Sequence, residues 1–239
     1  MALPLYLAMT AAELFCAPEL PPACAYMACH FSSYGTGLSN FPQGLPKGSM
    51  LIVNDRTPVQ GHDPAQITEQ LFRCVEEQEA AAILLDFQRP DCPETARIVR
   101  AVTDGSPCPT AVSACYGSDL QCPVFLPPVP PSCMLRDYIS LWQGRELWLE
   151  AALDSQLITV TAQGSNASPF SSDPSNVYPF ADPQLHCHYR IRTAPDQAQF
   201  FLQRTAEDLR ALLQEAEALG ITKAIGLYQE LSPFSGALT

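Results

Sequence analysis

Positive charge is what this sequence has least of: 13 Lys and Arg against 25 Asp and Glu leave a formal net charge of −12. Such a chain has no basic face to meet phosphates, which excludes a general nucleic-acid binder but leaves a neutral ligand such as a sugar open. Long apolar runs are also missing. The opening "MALPLYLAMTAAELFCAP" is broken by Glu13 before it could span a bilayer, and it carries no cationic n-region of a secretory leader. A cytoplasmic protein with no membrane partner is expected. The ten cysteines include no C-x-x-C pair, which argues against a zinc ribbon or a dithiol redox motif. In runs such as "CAYMAC" and "AVSAC" they should be reduced thiols that pack as small hydrophobes. "YGTGLSN" (34–40) holds two glycines but opens no helix, and there is no P-loop, Rossmann fingerprint or G-x-S-x-G. No cofactor is expected.

What is present is enough apolar material for a full core: 47% of 239 residues are hydrophobic and 16% charged. Ten short runs rich in strand formers recur, at 3–10, 24–31, 49–55, 80–88, 109–116, 123–128, 146–153, 157–163, 185–191 and 223–231. Helical patterns alternate with some of them. "DPAQITEQLFRCVEEQEA" begins at an Asp63 cap with Pro64 in the first helical position, and "CPETARIVRAV" follows the fourth strand. "APDQAQFFLQRTAEDLRALLQEAEALG" reads as one amphipathic helix ending at Gly220. Strand–helix–strand units from 49 to 116 imply parallel crossovers, and wholly apolar strands imply both faces covered. The fold expected is α/β, an irregular (β/α)8 TIM-like barrel with several outer helices missing or shortened, in a single domain spanning 1–239. The departures are specific. Links 11–23 and 32–48 lack a helical period, "GSDLQ" is too short for a parallel crossover, "ALDSQLI" resembles a hairpin, and 163–183 reads as a long loop.

Chemistry in a parallel barrel gathers where its strands finish. The polar residues at those ends are Glu13, Asn54 and Asp55, Asp86 and Gln88, Tyr116, Glu150, His188 and Tyr189, and Gln229 and Glu230. Glu150, inside "ELWLEAAL", shares a strand face with Trp148, and burying it is costly unless it is paired or protonated. A ring beside a carboxylate suits a sugar: the ring stacks on the apolar face and the acid bonds hydroxyls. Asp86 and Glu150 are the acids of most interest in this set, and the other strand-end residues and Trp148 are the candidates for binding ligand.

"ILLDFQRP" (83–90) resembles the end of the fourth barrel strand in the chitinase-like glycoside hydrolases, family eighteen. That family carries D-x-x-D-x-D-x-E, whose last Glu is the general acid and whose preceding Asp steadies the attacking acetamido group. Here Asp86 takes the place of the last Asp, Ala81 and Leu84 stand at the earlier acids, and Gln88 stands where the catalytic Glu belongs. The resemblance implies a barrel with a carbohydrate pocket whose inherited acid is lost, since an amide has no proton with a usable pKa. Two outcomes follow: an oligosaccharide or other small neutral ligand is bound without cleavage, or another carboxylate pair, Asp86 with Glu150 or Glu230, hydrolyses it. A different alternative is a metal-dependent hydrolase on His186 and His188, which share one strand face, completed by Asp55, Asp86 or Glu230. The loop "NDRTPVQGHD" (54–63) offers Asn54, Asp55 and Arg56 to a ligand or merely leads to the Asp63 cap. "CPVFLPPVPPSC" is expected to wall the barrel mouth, and "NAS" at 166–168 is a sequon by pattern alone.

Overall fold

Eight of the ten apolar runs close on themselves. The computed structural model describes residues 3–34, 36–59, 61–89, 92–171 and 177–238. Its barrel strands are β1 (Leu5–Met9), β2 (Cys24–Phe31), β4 (Met50–Asn54), β5 (Ala82–Asp86), β6 (Thr110–Ser113), β7 (Val124–Leu126), β8 (Leu147–Ala151) and β14 (Lys223–Leu227). Each is parallel to the next, and β1 pairs with both β2 and β14, so the ring is closed. A two-residue strand, β3 (Leu38–Ser39), adds antiparallel to the end of β2.

Alternation along these strands sorts the side chains into two layers. Ala8, Ala25, Met50, Ile52, Leu84, Phe125, Trp148 and Ile225 fill the interior. Their neighbours face outward: Leu51, Val53, Ile83 and Leu85 meet Ile67, Leu71 and Val75 of α2 (Pro64–Glu77) and Ile98, Val99 and Val102 of α3 (Pro93–Gly105). On the opposite flank Leu5, Leu7, Leu149 and Ala224 meet Leu209, Leu212, Leu213 and Ala216 of α6 (Ala206–Ala218). Each fully buried aliphatic side chain contributes about 1.5–3 kcal/mol. Helix α2 starts as its sequence dictates, with Asp63 accepting from the Ala65 amide at 3.1 Å and Pro64 in the first turn. Elsewhere the outer layer is thin. Only the six-residue α1 (Ala11–Cys16) lies between β1 and β2, and the rest among the described residues is α4 (Ala114–Gly117), α5 (Leu135–Ile139), α7 (Tyr228–Leu231), α8 (Ser235–Leu238) and two single 3-10 turns at Ser140–Trp142 and Ser232–Phe234.

The other two apolar runs are not barrel strands. Between β8 and α6 the chain builds an antiparallel sheet in the order β10 (Gly164–Pro169), β9 (Ser155–Thr161), β13 (Gln197–Gln203), β12 (Cys187–Ala194), β11 (Phe180–Asp182). Arg204, 1% exposed, ties it down by donating from Nη1 to Val129 O at 2.7 Å and from Nε to His186 O at 3.2 Å.

Four local expectations are corrected. Residues 194–220 are not one helix: Gln197–Gln203 is a strand, and α6 starts afresh where Thr205 and Asp208 form a capping box. "ALDSQLI" is not a hairpin, because β8 pairs with β7 and β14 while β9 pairs with β10 and β13. The 163–183 loop contains β10 and β11. The link from β6 to β7 is long enough for a parallel crossover, since β6 ends at Ser113 and α4 belongs to the link.

Gly226 in β14 marks a close backbone approach. A Cβ there would lie 2.3 Å from Leu231 Cδ1 and 2.7 Å from the Ala151 carbonyl oxygen. Gly226→Ala should therefore destabilise the protein by about 1–3 kcal/mol through overpacking. Urea unfolding at constant m-value checks this; an unchanged midpoint would mean that α7 yields freely.

Candidate functional site

The interior alternation that buries Ile52, Leu84, Ala111, Trp148 and Ile225 carries two residues further to the C-terminal rim. There the same faces present Asn54, Asp86, Ser113, Glu150 and Leu227. A cavity of about 360 Å³ opens above the packed interior, lined by Met27, Asn54, Asp55, Arg56, Asp86, Gln88, Phe125, Glu150 and Leu227 among others. Two more adjoin it. One of about 330 Å³ shares Gln88, Phe125 and Glu150 and adds Ser113, Cys115 and Pro127. Another of about 320 Å³ shares Met27, Asn54 and Arg56 and adds Thr10, His30, Asn40 and Thr57. Together they form a cleft across the mouth.

The floor is polar and tightly wired. Gln88 Nε2 donates to Asp86 Oδ1, and Ser113 Oγ donates to the same oxygen at 3.2 Å. Asp55, 4% exposed, spans from the end of β4 and accepts from the backbone amides of Gln88 at 3.1 Å and Arg89 at 2.9 Å. Both its oxygens are thereby spent on holding the loop after β5. Asn54 donates from Nδ2 to the Met27 and Cys29 carbonyls at 3.0 and 3.1 Å, fixing the β2–β4 rim. Burial pushes Asp86 above the ordinary carboxylate range, although the Gln88 and Ser113 hydrogen bonds pull it back. Burial likewise pushes Glu150 up to about 7, with Asp86, Asp154 and Glu230 adding like-charge repulsion. The site thus offers an acceptor at Asp86, an amide at Gln88 and, near neutral pH, a carboxyl at Glu150 that can still donate.

The structure brings Asn54, Asp55, Arg56, Asp86, Gln88 and Glu150 into this cavity and leaves the other sequence candidates elsewhere. Trp148 is 0% exposed, one layer below Glu150, with Nε1 donating to Glu146 at 3.2 Å and Lys223 over its ring. It closes the barrel interior instead of meeting the cleft. Tyr116 lies on α4, packs edge-on against Phe87 and donates to the Arg89 carbonyl, so it braces the loop from outside. Glu13 is in the α1 capping box with Thr10, and Gln229 is exposed on α7. Glu230 accepts from the Leu153 amide at 2.6 Å and reaches the site only through its charge. His188 and Tyr189 sit on β12 of the second sheet, His188 against Asp208 at 2.8 Å and Tyr189 stacked with Phe180. His186 meets Glu215 at 2.7 Å. Each histidine has its own carboxylate on α6, away from Asp55, Asp86 and Glu230, and no cluster of three potential metal ligands exists among the described residues. His186 and His188 are thus engaged with α6 and not with the acids expected to complete a metal shell. Ser113 and Phe125 are cavity residues the sequence reading passed over. Their signal was available: they occupy inward positions of β6 and β7 by simple alternation.

No protein-family profile matches the sequence, and no curated protein does. Solved structures do. An N-acetylglucosaminidase of glycoside hydrolase family 18 from Paenibacillus barengoltzii superposes with a TM-score of 0.60 at 10% identity, covering 94% of each chain. A chitinase from Chromobacterium violaceum gives 0.55 at 11% identity, covering 99% of this chain and 98% of that one. A class V chitinase from Nicotiana tobaccum gives 0.57 at 8% identity over 95% and 93%, and a mutant of it was solved in complex with NAG4. The chain thus has the barrel fold of the chitinase-like glycoside hydrolases. No helix among the described residues is long and apolar enough to cross a membrane.

Proposed function

We propose that this barrel binds an oligosaccharide in the cleft at its C-terminal face without cleaving it by the mechanism the fold usually carries. One observation supports this above others: Gln88, on the loop after the fourth barrel strand, turns its amide onto Asp86 on the cavity floor. An amide at that point donates and accepts hydrogen bonds, as a sugar hydroxyl or acetamido group requires, but cannot protonate a leaving oxygen. The neighbours whose names include chitinase and N-acetylglucosaminidase make an N-acetylated glycan the natural ligand class to try. In this reading barrel and sheet act as one domain, and a core holding buried thiols such as Cys24, Cys29 and Cys74 suits a reducing cytoplasm.

A second reading is favoured by Glu150. A carboxyl pushed to about 7 retains a proton near neutral pH, and with Asp86 lining the same cavity the pair could serve as acid and base. Native mass spectrometry with chitotetraose separates the two. Retention of intact sugar with no shorter product over hours is the expected result, with the adduct weakened about tenfold in Asp86→Asn by loss of a charge-assisted acceptor. Accumulating chitobiose would establish the hydrolase. If Glu150→Gln and Asp86→Asn both bind as the parent does, the pocket assignment is wrong.

A further inference from the structure

We propose that the bound glycan carries a carboxylate, and that Arg56 at the β2–β4 end of the cleft receives it. This rests on the sugar-binding reading and adds the charge of the ligand. In a chain so short of cations, nearly every Lys and Arg side chain is engaged: by carboxylates, as for Lys47, Arg73, Arg97 and Arg136, by carbonyls, as for Arg89, Arg145, Arg204 and Arg210, or by rings, as for Arg190 and Lys223. Among the described residues the exceptions are Arg56, Arg100 and Arg192. Only Arg56 of these lines the cleft, and it does so at the junction of two of its cavities. Its backbone is fixed at both ends, the amide donating to Asn54 Oδ1 at 3.2 Å and the carbonyl accepting from Arg89 Nη2 at 2.9 Å. The guanidinium is what remains for a ligand.

The surroundings divide the cleft by charge. Asp55, Asp86 and Glu150 lie toward its middle, with Glu150 continuing into the far cavity. The end beyond Arg56 is lined by Thr10, His30, Asn40 and Thr57 and by no carboxylate. The acid that reaches Thr10, Glu13, is turned into the α1 cap, accepting from the Thr10 amide at 2.7 Å and hydroxyl at 2.8 Å. A glycan lying along the cleft would therefore set neutral rings over the acids and a carboxylate-bearing ring against a forked donor, since the Thr10 and Thr57 hydroxyls already donate to Glu13 and to the Phe31 carbonyl. A wholly neutral glycan gives Arg56 no partner.

The test compares chitotetraose with the peptidoglycan tetrasaccharide, which differs from it by lactyl carboxylates, and with hyaluronan tetrasaccharide, whose carboxylates are uronic. Titrations use the full chain and Arg56→Gln at low and physiological salt. An acidic sugar should bind the parent roughly three- to tenfold more tightly than chitotetraose, with the preference shrinking as salt rises. Arg56→Gln should abolish that preference, Arg56→Lys should keep part of it, and chitotetraose should lose far less than the acidic sugar in both. Whichever acidic sugar shows the effect identifies the kind of carboxylate. Equal affinities in the parent, or an Arg56→Gln loss equal for all three sugars, would overturn the inference while leaving glycan binding intact. Failure of every sugar to bind would remove both.

Discussion

Replacing Glu150 with glutamine should raise the melting temperature at pH 8 while changing it little at pH 5. The sign follows from proton linkage. Glu150 is held at about 7 in the folded protein against an ordinary value of 4.5. Between those values the folded state keeps a proton that the unfolded state has released, so this group's contribution falls as pH rises through the window. Above about 7 the folded protein carries the full penalty of a buried, repelled carboxylate, on the order of 3 kcal/mol. Glutamine has the same shape and no charge. The difference in midpoint between parent and variant should open steadily from pH 5 to pH 8, reaching several degrees for a chain of this size. Asp86 and Glu230, both also raised by burial, act with the same sign and keep the variant's own profile from being flat. Parallel melting profiles for the two proteins would show that Glu150 is solvated at the mouth, and its value as a proton donor in the hydrolase reading would go with it.

The second large effect belongs to Arg204. It lies buried where barrel and sheet meet, donating to the carbonyls of Val129, His186 and, at 3.5 Å, Leu185, with Asp154 and Asp208 supplying opposite charge. Arg204→Ala would leave those carbonyls without a donor and those carboxylates without a cation. A loss of about 3–5 kcal/mol is expected. Hydrogen exchange adds a local readout, since amides of β12 and β13 should lose protection before those of β4 and β5. A loss under 1 kcal/mol would mean that water enters and replaces the guanidinium, so that the sheet does not depend on it.

The parts of this architecture legible in the sequence are those where local and tertiary demands agree. "AILLD" must be a strand covered on both faces, and Asp63–Pro64 must start a helix; both are so. An irregular parallel barrel followed from such runs and the helices between them, while its closure is read from the pairing of β1 with both β2 and β14. Ala194–Gly220 was illegible because Phe200, Phe201 and Leu202 fit a helical stripe as well as a strand. Their strand state is decided by β9 and β12 on either side, at long range. The Thr205–Asp208 box was the local sign that a new helix begins. At the barrel mouth, the same-face rule put Asp86 and Glu150 on one cavity. It failed for His188 and Tyr189 because strand ends were pooled before it was known which strands share a ring. It failed for Trp148 because a face has depth: two residues below Glu150 is a different layer.

The second sheet leaves and rejoins the barrel through adjacent strands in register. Ser155 at the start of β9 stands opposite Gln203 at the end of β13, and the next residue, Arg204, donates its amide to the Asp154 carbonyl at 3.0 Å. The two ends of a segment of nearly fifty residues are therefore only about 5–6 Å apart. A loop so pinched at its neck imposes no strain on the ring that carries it. In architectural terms the barrel is a socket and the sheet a cartridge, plugged in at the single neck between Asp154 and Arg204.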